Sequence, residues 1–199
     1  MVAVLTGDII NSRDVDALIW LQKLKDVLNI YGQTPKNWGI FRGDSFQLLV
    51  APKDAITAAI HIKAVIKQNK NQDVRIAIGI GKETHSANKI TESNGTAYIN
   101  SGEKFESLKK QTLAIKSNNS NLDTTLNLMI SLALLTANNW SSTVAEVITT
   151  AIENPNKHQK DIAKLLNKSQ SSVSEALKRG GYEEIMSLNT YYQKQISNI

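Results

Sequence analysis

The stretch GIFRGDSFQLLV, residues 39–50, constrains the chain most. Two apolar runs, near 37–42 and 45–50, flank a short polar knot, Arg42-Gly43-Asp44-Ser45. This reads as a β-hairpin with a tight turn, because glycine accepts positive φ and aspartate can hydrogen-bond its own backbone. Segments of helical period stand on both sides. Residues 15–31 carry Leu18, Leu21, Leu24, Val27 and Leu28 at helical spacing, with Asp14 as the expected N-cap. Pro52 and Asp54 open a second helix, DAITAAIHIKAVIKQN. An apolar strand at 2–6 comes before these elements, and the strand VRIAIGIG (74–81) comes after them. A polar loop at 82–97, a third helix over YINSGEKFESLKK and a last strand, TLAIKS, complete the order β-α-β-β-α-β-α-β. That order predicts an α+β unit built on split βαβ crossovers.

The first part of the chain is therefore expected to be ferredoxin-like with one added strand. At 117–121, SNNSN, the composition changes and the segment reads as a linker or an exposed turn. Everything beyond it has helical character. The expected organisation is an α+β unit over 1–117, a connecting or dimerisation helix over 118–140, and an all-α unit over 141–199. LDTTLNLMISLALLTANNW is strongly apolar, and its Leu126, Met129, Ile130, Leu132 and Leu134 exceed a single stripe, so it needs more than one packing surface. SSTVAEVITTAIENP begins on a serine cap and stops before Pro155.

QKDIAKLLNKSQSSVSEALKRGG has the layout of a helix-turn-helix. Small Ala163 suits a close helix approach, Asn167 tolerates a left-handed turn, and Val173 points into the angle between the helices. Ser169 caps the second helix, 170–179. That helix presents Gln170, Ser171, Ser172, Ser174, Lys178 and Arg179. Short polar side chains near a recognition helix's N-terminus suit base-edge and phosphate contacts on double-stranded DNA. Lys157, Lys160, Lys164 and Lys168 would add backbone electrostatics, offset in part by Glu146, Glu153, Glu183 and Glu184.

Composition excludes several chemistries. The chain of 199 residues has no cysteine, so disulfides, cysteine-based zinc sites and thiol catalysis are ruled out. His61, His85 and His158 are scattered without ligand spacing. MVAVLTGDIINSR lacks a signal-peptide pattern, and LNLMISLALL falls short of the roughly 18 residues of a membrane span. The expectation is a soluble, cytoplasmic protein with no membrane partner. A net charge of +5 mildly favours anionic partners.

Asp8, in VAVLTGDII, stands at the expected end of the first strand. In a split βαβ fold that strand lies beside the hairpin, so Asp8 and Asp44 project towards one place. Two adjacent carboxylates repel unless a cation neutralises them. Mg²⁺ (or Mn²⁺) held by carboxylates and substrate phosphates is the expected solution.

TGDII and FRGDSFQLLV resemble the two metal-binding segments of class III nucleotidyl cyclases and, more distantly, GGDEF diguanylate cyclases. AYINSGEKFESL is similar to the cyclase helix whose Asn and Arg contact ribose and phosphates. The resemblance places Asn100 and Lys104 in those catalytic and nucleotide-binding positions, and Gly43 beside the nucleotide. It implies departures too. The purine-reading Lys falls at Ile40, the purine-reading Asp has only Ser93 and Asn94 nearby, and Lys104 lacks arginine's planar fork. The whole chain, with SNGTAYINSG in its long loop, resembles the SatD family of bacterial proteins.

The expected function is a DNA-binding transcriptional regulator whose cyclase-like part binds a nucleotide or other phosphorylated ligand with Mg²⁺. The alternatives are an active nucleotidyl cyclase or transferase, and a degenerate cyclase-fold interaction module. Class III cyclases share their site between protomers, and helix-turn-helix regulators commonly read two half-sites, so a homodimer is expected.

Overall fold

The computed structural model describes residues 1–14 and 16–197. Among these, the chain forms a five-stranded sheet and eight α-helices, a mixed α+β architecture. The strands are β1 (Val2–Ile10), β2 (Trp38–Phe41), β3 (Ser45–Val50), β4 (Asp73–Gly81) and β5 (Leu113–Lys116). Their order across the sheet is β2-β3-β1-β4-β5. β1 is central and antiparallel to both β3 and β4, and β5 joins β4 in parallel. The helices α1 (Ala17–Tyr31) and α2 (Ala55–Lys67) each connect two strands that have a third strand between them.

The period of two along each strand sorts the two faces. Ala3, Leu5 and Ile9 of β1 join the main core beneath α1 and α2. Val4, Thr6 and Asp8 point to the other face, where α3 (Thr96–Ser107) lies over β4 and β1. α3 sits close because β4 has glycines there: a Cβ at Gly79 would fall 2.1 Å from the Ala97 carbonyl oxygen.

β1 runs to Ile10, longer than the expected 2–6, so Asp8 lies inside the strand and not at its end. It can sit there because its register partners are Ser45 and Arg75, both polar. The hairpin is as expected, closed by the three residues Arg42–Asp44 between the paired Phe41 and Ser45; Arg42 has φ +54° and Gly43 φ +92°. α1 begins at Ala17 and is capped by Asp16, whose side chain accepts the Leu18 N–H at 3.0 Å; Asp14 is not the cap. Leu18 therefore falls in the first turn and is 81% exposed, and Trp20 takes the buried place instead. Val15, the first residue of the expected helix, lies outside the described residues, as do 198 and 199.

The chain after β5 consists of α4 (Ser120–Ala137), α5 (Ser142–Glu153), α6 (Gln159–Leu165), α7 (Gln170–Arg179) and α8 (Tyr182–Ile196). Between β5 and α4 the chain makes a short, exposed turn, the second of the two readings of 117–121. Asn119 already caps α4, and Asp123 accepts from the Ser117 N–H at 2.8 Å and its hydroxyl at 2.6 Å. Asn127 binds the free edge of β5, accepting the Ile115 N–H at 2.9 Å and donating to its carbonyl at 2.8 Å, which blunts an exposed strand edge. α5 packs on α2, and Tyr192 of α8 donates to the Pro52 carbonyl at 2.5 Å. One hydrophobic core runs from Leu5 and Ile56 through Ile130 and Val147 to Tyr192, across all three expected segments.

Candidate functional site

Two regions carry the predicted functional residues. The first is the end of the sheet at Asp8. Asp8 pairs with Ser45 and Arg75 in register, and the Asp44 carbonyl accepts the Ile9 N–H at 3.2 Å. Asp8 and Asp44 are thus brought together, as the sequence predicts.

Each carboxylate already has protein donors. Arg75 closes on Asp8 with two parallel bonds, Nε to Oδ1 at 2.9 Å and Nη2 to Oδ2. Ser12 donates to Asp44 Oδ2 at 2.6 Å. The Asp8 hydrogen bond is the main reason that Arg75's pKa is raised, burial opposes it, and the nearby charges of Asp8 and Asp44 add to it. Arg75 also stacks on Phe105 of α3, 5.5 Å from the ring centroid, which fixes the guanidinium plane.

A guanidinium, therefore, pairs with Asp8, while Asp44 is held by the Ser12 hydroxyl and has no ion pair among the described residues. Among the described residues no three His, Asp or Glu side chains cluster to hold a metal. The donor set fits Mg²⁺ only if Arg75 releases Asp8.

A shallow cavity of about 460 Å³ opens beside Asp8, with Arg75, Lys109, Lys110 and Thr112 in its wall. Along the same face, Gln47 donates to the Thr6 hydroxyl at 3.5 Å, and Thr6 and Ser101 share a 2.9 Å hydrogen bond. Gly43 stands at the hairpin turn with open space around it.

Asn100 is not part of this cavity. It is buried and donates to the Ile80 carbonyl at 2.9 Å and to Asn118 Oδ1 at 3.4 Å. Ile80 pairs with Ala3, five residues up β1 from Asp8, which is roughly 17 Å at 3.4 Å per residue. Lys104 is half-buried one turn further along α3, beside Phe105, and has no ion pair among the described residues.

Arg75, Lys109 and Lys110 were missed by sequence reasoning. The signal for Arg75 was present: it is the lone charge in an otherwise apolar strand, VRIAIGIG, and its place in the alternation puts it on the same face as Asp8.

The second region is the α6–α7 pair. The connection between them contains Asn167 at φ +52°, the left-handed turn predicted for it. Ala163 and Val173 are buried between the helices. Ser169 caps α7, accepting the Ser172 N–H at 3.1 Å, and its hydroxyl also bonds those of Ser171 (2.9 Å) and Ser172 (2.8 Å). α7 packs on α5, α6 and α8 with Val173, Ala176 and Leu177. Ser169, Gln170, Ser171, Ser172, Ser174, Lys178 and Arg179 are all exposed on its other side. Of the neighbouring lysines, Lys168 is paired with Glu146 at 3.0 Å and Lys164 with Asp161 at 3.7 Å.

The architecture and these two polar regions define an α+β protein with an appended helical array. The chain belongs to the SatD family: the family's sequence model matches residues 1–194, nearly the whole chain. No curated protein and no solved structure matches it. No helix among the described residues is long and apolar enough to cross a membrane.

Proposed function

We propose that this protein is a DNA-binding transcriptional regulator that reads double-stranded DNA through α7 and senses a phosphorylated ligand, a nucleotide among them, at the Asp8 end of the sheet. The observation that carries this reading is the outer face of α7. Eight polar or charged side chains from Ser169 to Arg179, Glu175 the one acidic residue among them, stand exposed on or at the cap of a helix whose apolar side is fully used in packing. Serine and glutamine at its N-terminal end suit base edges and phosphates, and Lys178 and Arg179 at its C-terminal end suit the backbone.

Arg75, Lys109 and Lys110 around the cavity beside Asp8 support a phosphate ligand, since anions favour such a cationic rim. Asp8 and Asp44 are the residues that would hold Mg²⁺ or Mn²⁺, once Arg75 turns from Asp8 to the ligand. The ion would neutralise phosphate charge. Arg75's grip on Asp8 favours sensing over the alternative of a metal-dependent nucleotidyl transferase.

A two-fold dimer belongs to the same reading. Leu128, Leu132 and Leu135 form an exposed stripe along α4, each at least 60% exposed, while Leu126, Ile130 and Leu134 of the same helix are buried. Pairing of α4 with its copy would cover that stripe and set the distance between two α7 helices.

Selection from a random duplex pool tests the DNA reading. The wild type should enrich a defined sequence, and Gln170→Ala should change the base preference while retaining binding. A pool without enrichment would refute sequence-specific recognition by α7.

A further inference from the structure

A polar cleft of about 510 Å³ lies where the sheet meets the helical array. It is formed by the β1–α1 turn at Asn11, the α2–β4 turn from Lys67 to Asp73, and the α4–α5 turn from Asn138 to Ser142. None of the residues assigned above to DNA, metal or nucleotide lines it.

Three features of its wall point to an anion with hydrogen-bonding groups. First, Gln72 is 97% buried, its side-chain Nε2 and Oε1 both lack partners, and Nδ2 of neighbouring Asn69 is also unpartnered. Buried polar atoms without partners are rare, because each carries its full desolvation cost. Second, the N-terminus of α5 opens on the cleft at Ser141 and Ser142, with no acidic side chain in its first turn. The leading N–H groups of a helix have no intrahelical partner, and the helix dipole favours negative charge there. Third, Lys67 and Lys70 add positive charge. The one carboxylate in the wall, Asp73, is already held by Lys63 at 2.7 Å and Lys67 at 3.2 Å.

We propose that this cleft binds a small organic phosphate, with the phosphate at the α5 N-terminus and Lys70, and a hydroxyl-bearing organic part against Gln72 and Asn69. Phosphate oxygens accept from the helix N–H groups and from Lys70. These amide atoms are closed off from the cleft in this structure, so the Gln72 and Asn69 side chains turn toward the ligand on binding: a ligand oxygen then accepts from Gln72 Nε2 and Asn69 Nδ2, and a ligand hydroxyl donates to Gln72 Oε1. The position links the two halves of the molecule: Trp140, next to Ser141, donates its indole N–H to the Gly180 carbonyl at 2.9 Å, just past the end of α7. The site adjoins the Asp8 cavity, the two sharing Ile10 and Asn11, but its phosphate seat at Lys70 and Ser142 has no residue in common with that cavity and stands whether or not the Asp8 end binds phosphate.

Amide resonances of the full-length protein, followed during titration with inorganic phosphate and with ribose 5-phosphate at constant ionic strength, test the proposal. Ser142 and Thr143 should shift with both probes, and the sugar phosphate should bind at least 3-fold more tightly. Lys70→Glu, an exposed change, should weaken both probes about 10-fold or more. Gln72→Leu, which fills the same place without the unpartnered atoms, should retain phosphate binding and abolish the preference for the sugar phosphate. Lys109→Glu, in the other cavity, should leave the Ser142 shifts unchanged. The proposal is overturned if Ser142 and Thr143 do not respond, if Lys70→Glu binds as well as the wild type, or if the sugar phosphate binds no better than phosphate.

Discussion

Arg75 decides the chemistry at the sheet end. Its fork occupies both oxygens of Asp8, so the charge of Asp8 is compensated within the chain and its repulsion with Asp44 is reduced. Because the guanidinium is 38% exposed, solvent screens the pair, and Arg75→Met should cost only about 1 kcal/mol of stability in chemical denaturation. The same variant frees the carboxylates. Mg²⁺ should therefore raise the melting temperature of Arg75→Met more than that of the wild type, and adding Asp44→Asn should remove the increment. Equal increments in all three proteins would show that the pair does not hold a cation.

His61 makes a different residue-scale prediction. It is buried in α2 between Tyr31, whose hydroxyl lies 3.0 Å from Nδ1, and Glu153, 3.3 Å from Nε2. Burial lowers its pKa from the ordinary 6.5, and Glu153 opposes the shift in part. With Tyr31 donating to Nδ1 and Nε2–H donating to Glu153, the neutral ring satisfies both neighbours. The unfolded chain then binds more protons than the folded one as pH falls through 6.5, so His61's contribution is complete above that pH and is lost on acidification. The drop in melting temperature between about pH 7.5 and pH 5.5 should be smaller in His61→Gln than in the wild type. An equal drop would assign the acid sensitivity to other groups.

At the scale of elements, the hairpin and the α6–α7 turn were legible because their residues have few other conformational options. Gly43, which lacks a Cβ, and Asn167, whose short polar side chain tolerates it, adopt positive φ, and Ser169 makes the cap its position offers. The extent of β1 was not legible, because Asp8 looks like a strand terminator until Arg75 is known to face it across the sheet. That pairing joins residues 67 positions apart, and no local periodicity reports it. The start of α1 was misplaced for a related reason: Asp14 and Asp16 both stand where a cap is wanted, and only backbone geometry selects Asp16. Strand order brought Asp8 and Asp44 to one place on paper, and the structure brings them together. Asn100 and Lys104 were placed by resemblance, facing Asp8 and Asp44 of a partner protomer, and within one chain Asn100 lies at the far end of β1 from Asp8.

Ser169→Ala should destabilise α7 by about 1 kcal/mol, the usual worth of a side-chain N-cap, measured in urea unfolding. It should also weaken DNA binding, since α7's first turn carries Ser171 and Ser172. On α4, Leu132→Asp places a charge on the exposed leucine stripe without touching the buried one. Sedimentation should find the wild type dimeric at micromolar concentration and this variant monomeric, with an unchanged fold by circular dichroism. A monomeric wild type would remove α4 as the dimer contact.

At the scale of the whole molecule, the helical array is fastened to the sheet by core and by hydrogen bonds. α5 covers α2, Asn127 covers the β5 edge, and α8 reaches back to the turn before α2. A chain ending at 117 would expose the α2 surface now packed on α5 and α8, so that fragment should be aggregation-prone, and the full chain should melt in one cooperative transition. Two separated transitions would show that the halves fold independently. A shared core also means that a ligand at the sheet can bias α7 through packed elements, without a flexible tether.

The proposed meeting of α7 with DNA is tested by the salt dependence of duplex binding, measured by fluorescence anisotropy for the wild type and for Lys178→Ala/Arg179→Ala. Binding should be tight at low salt and fall steeply as salt rises, with a log–log slope shallower by roughly 2 in the double variant, about 1 for each phosphate that is no longer neutralised. Absence of binding at low salt, or identical slopes for the two proteins, would contradict that proposal.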